Sequence, residues 1–168
     1  METNILPKID MSNTPTGCCP RFNPEAWEGR HLHFVDKPFV RATTRALLHV
    51  PIDMGRVFTR VQEHIEDADA QEPEGYFVLS RDISATQGEH LFAVTTSVPE
   101  EEMITLSGEY ITRVFEGPYR RAKDWVHDME VAAKAAGHRA KTVYMFYTTC
   151  PKCARDFGEN YIVGVAEI

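Results

Sequence analysis

The segment TLSGEYITRVFEGPY, residues 105–119, decides the fold, because it reads as a long strand that stops abruptly at a helix start. Apolar and polar residues alternate through it, as in a strand with one buried face. The predicted strand extends from Met103 to Glu116. Gly117 and Pro118 then break it, and proline is favoured at the first position of a helix. The sequence therefore predicts a strand followed directly by a helix.

A βαββ unit is completed after this junction. The helical pattern runs from about Tyr119 to Ala136 and closes at Gly137. Two further β segments follow, Thr142–Thr149 and Asn160–Ala166. The helix has one apolar stripe, which is expected to face the core: Ala122, Trp125, Val126, Met129, Ala133 and Ala136.

The first half of the chain has the same order of elements. Residues 39–50 read as a strand, and Pro51 with Asp53 marks a helix start. That helix ends at the segment 72–75. Two short β segments come next, Tyr76–Arg81 and His90–Ser97, separated by a loop around residues 87–88. The helix again has an apolar face: Met54, Val57, Phe58, Val61 and Ile65.

Repetition of this unit predicts an α+β fold of two pseudo-symmetric βαββ repeats, residues 39–98 and 103–168. They are expected to form an antiparallel sheet with two helices on one face and a ligand groove on the other. Matching Pro51 to Pro118 aligns His49 with Glu116. The helix-facing sides of the two long strands are expected to carry these residues: Ala46, Leu48, Ile111 and Phe115.

The groove is expected to be aromatic, which suits a flat, partly apolar guest. Tyr110 lies on the groove side of its strand by alternation. In the strand Thr142–Thr149 both faces are apolar or aromatic, so either Tyr144 with Phe146, or Tyr147, points inward.

Composition excludes several classes of function. The 168 residues carry a formal net charge of -7, and no run of Lys and Arg exceeds Arg120-Arg121, so a nucleic-acid partner is not expected. No stretch has the length or apolarity of a membrane span or of a secretory leader, so we expect no membrane association and a cytosolic location. The expected partner is a small organic molecule, and the expected assembly is a monomer or homodimer.

Residues 1–38 read as an irregular N-terminal arm, because prolines are scattered through them without apolar periodicity. Four large apolar residues lie in its second half: Phe22, Trp27, Leu32 and Phe34. Leaving each in water costs roughly 1.5 to 3 kcal/mol. We therefore expect this half of the arm to wrap onto the domain.

Four cysteines occur as two pairs, Cys18-Cys19 and Cys150-Pro-Lys-Cys153. In a reducing compartment this pattern indicates a metal site, a thiol/disulfide switch or simple packing. Four thiolates would complete a tetrahedral zinc site if the arm folds back onto the turn that contains Cys150. Such a zinc ion is expected to be structural.

The second half of the chain resembles GyrI-like (gyrase-inhibitor-like) effector-binding domains. The resemblance lies in the strand that ends in Gly-Pro-Tyr119, in the helix with central Trp125, and in the segment VYMFYTTCP, residues 143–151. It implies two βαββ units with a ligand groove. Members of that family include drug-sensing regions of transcription activators, stand-alone proteins that protect against toxins, and enzymes that hydrolyse strained electrophilic natural products.

This sequence contains no DNA-binding region, so the expected roles are detoxification by hydrolysis or by sequestration. Many drug-binding members carry a Glu shortly before the tyrosine of the third strand, whereas this chain has Tyr144-Met145-Phe146-Tyr147. Glu116 and Glu159 are the candidates to replace that carboxylate.

Hydrolysis of an electrophile needs a carboxylate to deprotonate water and a weak acid to protonate the leaving atom. Glu116 and Tyr147 are the predicted catalytic pair. Glu116 has an alternative role as a charge beside a helix start. The predicted ligand-binding residues are Tyr110, Tyr119, Trp125, Tyr144, Phe146 and His49, although the helical spacing of Trp125 also suits the core. A non-catalytic binding protein, or one that responds to metal or redox state through its cysteines, remains an alternative.

Overall fold

A computed structural model describes residues 2–15, 17–73 and 75–168. It is a mixed α/β structure with three α-helices and seven strands in the described residues. The chain divides into two compact units, Met1–Phe34 with Gly108–Ile168, and Val35–Ser107. We call them the split unit and the central unit. Within the described ranges, no helix combines the length and apolarity needed to cross a membrane.

The central unit contains an antiparallel sheet in the order β2-β1-β4-β3. Its elements are β1 (His31–Leu47, from Val35 onward), β2 (Val50–Pro51), α1 (Met54–Asp67), β3 (Val78–Ser84) and β4 (Gln87–Ala93). The predicted apolar face of α1 is confirmed, because three of its residues are buried in the core of this unit, and Phe58 packs beside them: Val57, Val61 and Ile65.

The split unit contains an antiparallel sheet in the order β6-β7-β5. Its elements are β5 (Glu102–Glu116, from Gly108 onward), α2 (Ala122–Ala135), β6 (Thr142–Tyr147), α3 (Pro151–Phe157) and β7 (Tyr161–Glu167). Helix α2 packs on one face of this sheet through Trp125 and Met129. As expected from alternation along β5, Ile111 and Phe115 face the helix.

The first strand differs from its prediction at both ends. It begins at His31 rather than at residue 39, so the end of the arm is itself part of β1. It stops at Leu47 because Leu48 and His49 have φ values of 47° and 69° and form a tight turn. Leu48 is 77% exposed, so the expectation that it packs under a helix is wrong. Because Leu48 lies in the turn, the alternation of buried and exposed side chains along β1 no longer sets its direction.

Helix α3 was not predicted. It occupies the segment between the last two strands, which the sequence suggested to be a turn. Pro151 begins the helix, and Gly158 ends it with φ 73° in the left-handed region that favours glycine. Both signals are present in the sequence, but seven residues are too few for a recognisable apolar stripe.

Candidate functional site

The four cysteines form one cluster in the split unit. The Sγ atoms of Cys18, Cys19, Cys150 and Cys153 all lie within 4.8 Å of one another. A tetrahedral zinc ion with Zn–S bonds of about 2.3 Å separates its sulfur ligands by about 3.8 Å. The Sγ atoms of Cys18 and Cys19 are 3.8 Å apart. The donor set and its spacing therefore fit a tetrahedral soft-metal site.

The start of α3 positions the second pair of cysteines. Cys150 precedes Pro151, and its backbone N–H donates to Sγ of Cys19 at 3.5 Å. Cys153 lies one turn further and is buried. Burial raises the pKa of Cys19 to about 12, so this thiol stays protonated unless a cation stabilises its thiolate. The arm thus reaches α3 at a cluster of thiols. These thiols would become thiolate ligands if a metal ion bound between them.

Glu116, at the end of β5, is an exposed carboxylate that lines two neighbouring open clefts. The smaller cleft has a volume of about 350 Å³ and is lined by arm residues as well as by β5 and β7. The larger has a volume of about 510 Å³ and extends to α3 and the start of β7. Its polar and aromatic lining side chains are Glu116, Tyr119, Arg155, Glu159 and Asn160.

Tyr161 lies directly opposite Glu116 in the antiparallel register of β5 and β7. Its hydroxyl donates to Oε2 of Glu159 at 3.5 Å. Burial, followed by the negative charges of Glu159 and Glu116, raises the pKa of Tyr161 above its usual value. The tyrosine is therefore protonated at neutral pH and able to donate a proton next to a carboxylate.

Asn160 contributes a polar group to the larger cleft. Its Nδ2 donates to the carbonyl oxygen of Gly117 at 2.8 Å, which ties β7 to the turn after β5. Its Oδ1 is buried and has no hydrogen-bond partner among the described residues. Buried acceptors of this kind are rare in proteins, so this oxygen is a candidate to receive a hydrogen bond from a bound guest or water.

Tyr119 and Tyr147 lie on the helix side of the split-unit sheet. Their ring centroids are 5.7 Å apart, and both pack at the margin of the α2 core. The hydroxyl of Tyr119 donates to the carbonyl oxygen of Thr149 at 2.8 Å, and burial raises its pKa to about 12. Tyr119 borders the larger cleft, whereas Tyr147 does not line either cleft.

Tyr110, Tyr144 and Phe146 are buried in the split unit. Aromatic side chains of the arm pack on Phe146 and on Tyr110. The ring centroids of Trp27 and Phe146 are 5.3 Å apart, and those of Phe34 and Tyr110 are 5.0 Å apart. The expected wrapping of the arm is therefore confirmed. Tyr110 and Phe146, two of the aromatic residues predicted to bind ligand, therefore form a core with the arm.

The two remaining predicted residues lie elsewhere. Trp125 of α2 is buried against the sheet, with its ring stacked on that of Phe115 at 5.5 Å between centroids, so its helical spacing reflects packing. His49 belongs to the central unit, in the turn after β1, and its Nδ1 is 2.8 Å from Oδ2 of Asp82. The structure therefore brings together Glu116, Glu159 and Tyr119 at the larger cleft.

Sequence reasoning missed Tyr161 and Asn160 as members of this cluster. The strand that carries them was predicted, but the register that sets Tyr161 opposite Glu116 cannot be read from a single sequence. A one-residue shift of register would have placed a different side chain beside the carboxylate.

None of the curated proteins compared matches the chain. One solved structure with a similar chain is that of SAV2435 bound to tetraphenylphosphonium, at 11% sequence identity and a TM-score of 0.46, covering 83% of this chain and 92% of that chain. A family model described as "Bacterial hydrolase" matches residues 9–168. Because the family model spans nearly the whole chain, this protein belongs to the bacterial hydrolase family.

Proposed function

We propose that this protein hydrolyses small electrophilic organic compounds, as a detoxifying enzyme, in the clefts around Glu116. The observation that carries the proposal is the exposed carboxylate of Glu116 at the rim of both clefts, opposite a protonated tyrosine. The family description, which names hydrolases, supports the reaction class. The apolar walls of both clefts suit a partly apolar guest.

The proposed reaction adds water across a strained ring. Glu116 takes a proton from water while the water oxygen bonds to the electrophilic carbon. The ring bond to the leaving oxygen breaks, and a tyrosine hydroxyl protonates that oxygen. The proton held by Glu116 then returns to the tyrosinate, so one water is consumed and both side chains are restored. Tyr147 is the acid that the sequence predicts, and Tyr161 is the alternative that lies in the smaller cleft.

Turnover of epoxides and activated cyclopropanes, followed by mass spectrometry, tests this proposal. Glu116→Gln is expected to abolish turnover and to keep binding, because the amide cannot accept the proton. Glu25→Gln is the matched control, because Glu25 is an exposed carboxylate that lines the smaller cleft. Comparing Tyr147→Phe with Tyr161→Phe identifies the acid, since only its loss should lower kcat. If compounds bind and none is turned over, the protein is a sequestering protein instead.

We also propose that the four cysteines hold a structural zinc ion. Their spacing suits a tetrahedral ion, and no disulfide joins the four thiols. Zinc would supply a cross-link between the arm and α3. Elemental analysis of protein purified without chelator should give at least one zinc per chain, and one fewer in the Cys150→Ser/Cys153→Ser variant. A result near zero, with disulfides detected by mass spectrometry, would favour a redox switch.

The order of elements supports the proposal that the two units are repeats of one βαββ unit. The central unit runs β1-α1-β3-β4, and the split unit runs β5-α2-β6-β7 with α3 inserted before its last strand. Superposing the Cα atoms of the two units tests this. Repeats should superpose over the helix and all three strands, whereas unrelated units should not.

A further inference from the structure

Two histidines and one glutamate meet at the start of β1 in the split unit. His31 and His33 are two residues apart, so they project from the same face of the strand, while Leu32 and Phe34 between and after them are buried. Residues next to them pair with β5, because the carbonyl oxygen of Arg30 accepts the N–H of Thr112 at 2.9 Å. This pairing brings Glu109 of β5 beside both imidazoles.

Both imidazoles contact the carboxylate of Glu109. Nε2 of His31 lies 2.8 Å from Oε2, and Nδ1 of His33 contacts Oε1. His31 is exposed and the side chains of His33 and Glu109 are half-buried, so the group is accessible to an ion from solvent. Oε2 is itself buried and makes no hydrogen bond within the described part of the chain, although the nitrogen of His31 is so close. The contact therefore has a hydrogen-bond distance without hydrogen-bond alignment, and Oε2 is left without a donor.

We propose that His31, His33 and Glu109 bind a divalent transition-metal ion, such as Zn²⁺ or Co²⁺, at a second site separate from the cysteines. Imidazole and carboxylate suit these ions, whose bonds to nitrogen and oxygen are about 2.0 to 2.2 Å long. Two ligands at right angles on such an ion are about 3 Å apart, close to the distance between Nε2 and Oε2. The imidazoles approach different carboxylate oxygens, so their side chains would have to rotate to bring both nitrogens onto one ion.

This site differs from the cysteine cluster in the number of protein ligands, and therefore in whether a bound ion keeps an open position. Four thiolates close a tetrahedral site, whereas two histidines and one carboxylate leave at least one position for water or substrate. A metal ion with an open position lowers the pKa of its bound water and so supplies hydroxide near neutral pH. The binding of the ion does not depend on the proposed role of Glu116.

The two sites can be separated spectroscopically in the intact protein with Co²⁺ as the probe. Thiolate ligands give intense sulfur-to-cobalt charge-transfer bands in the near ultraviolet, and nitrogen and oxygen ligands do not. Titration of the protein with Co²⁺ should show one bound equivalent that produces these bands. A second equivalent should bind without them and be detected by calorimetry and by weak bands in the visible region. His31→Ala, His33→Ala and Glu109→Gln should each weaken the second equivalent at least roughly tenfold, since even outer partners of a metal ligand contribute that much.

His138→Ala is the matched control, because His138 is an exposed histidine of the same unit. It should leave both equivalents unchanged. Circular dichroism verifies that each variant is folded, and Glu109→Gln preserves side-chain volume if an alanine variant fails to fold. The proposal is overturned if no second equivalent binds, or if it binds equally well to folded His31→Ala, His33→Ala and Glu109→Gln proteins.

Discussion

The ring of Trp27 lies 5.3 Å from the ring of Phe146, at an angle of 57°, on the face of the split-unit sheet opposite α2. Met145 and Tyr147, the neighbours of Phe146 in β6, face α2, so Phe146 points the other way. An arm residue therefore occupies the aromatic face that the sequence assigned to a ligand. Access of a guest to this face requires the arm to move.

Replacement of Trp27 with Ala should lower the free energy of unfolding by about 3 to 5 kcal/mol, the usual loss for a fully buried large aromatic side chain. The cavity should also expose Phe146, so an environment-sensitive dye should bind the folded variant and not the wild type. Urea unfolding measures the first effect and dye fluorescence the second. Val131→Ala on the exposed side of α2 is the control and should change stability by less than about 0.5 kcal/mol. Equal stability of the two variants would contradict this role of the arm.

Removal of metal from the cysteine cluster should destabilise the protein. An ion bound by Cys18 and Cys153 closes a loop of 153 − 18 = 135 residues. By analogy with disulfide cross-links, closing so long a loop stabilises the folded state by up to about 5 kcal/mol. Thermal unfolding with and without a strong chelator should show a fall in Tm. The double variant Cys150→Ser/Cys153→Ser should be insensitive to chelator, and a chelator effect that persists there would assign the metal elsewhere.

Stability should depend on pH through His90 of the central unit. Its two ring nitrogens contact Oγ1 of Thr44 and Oγ of Ser80, each at 2.8 Å. Burial lowers its pKa to about 4, against an ordinary value of 6.5. Between pH 6.5 and 4 the unfolded chain therefore binds a proton at His90 that the folded chain does not bind. The contribution of His90 to the free energy of unfolding is complete above pH 6.5 and is lost as the pH falls toward 4. It amounts to about 3 kcal/mol.

Urea unfolding at a series of pH values checks this dependence. His90→Gln keeps one donor and one acceptor but does not titrate, so it should flatten the change in stability between pH 6.5 and 4 relative to wild type. Carboxylates that titrate in the same range contribute to both proteins and cancel in the comparison. Parallel curves for the two proteins would show that His90 carries no such penalty.

Gly164 permits the close approach of α2 to the sheet. A Cβ built there would lie 2.6 Å from Sδ of Met129 and 3.0 Å from Cε2 of Phe115. Gly164→Ala should therefore destabilise the protein by about 1 to 3 kcal/mol through overpacking. Gly55→Ala in α1, where a Cβ meets nothing within 4 Å, should stabilise it by roughly 0.5 to 1 kcal/mol. Chemical denaturation measures both, and two changes of the same sign would be inconsistent with this packing.

Much of the fold was predictable because its signals are local. Alternation along β5, the Gly-Pro break and the apolar stripes of both helices each depend on neighbouring residues. The end of β1 was not predictable, since Leu48 and His49 adopt a turn that usually requires Asn or Gly. The same limit applies to the site. Glu116 could be predicted as a site residue because it lies at the end of a strand. The position of Tyr161 depends on the register of β5 and β7, and that of Trp27 depends on where the arm packs.

The discontinuity of the split unit has a consequence for how the chain folds during synthesis. The central unit, Val35–Ser107, is continuous and leaves the ribosome complete. The backbone pairing of Arg30 with Thr112 joins residues 82 positions apart, so the arm must wait for β5 before its hydrogen bonds can form. Until then the rings of Trp27 and Phe34 stay exposed to solvent. This interval, rather than the finished protein, is when the nascent chain is most exposed to aggregation and proteolysis.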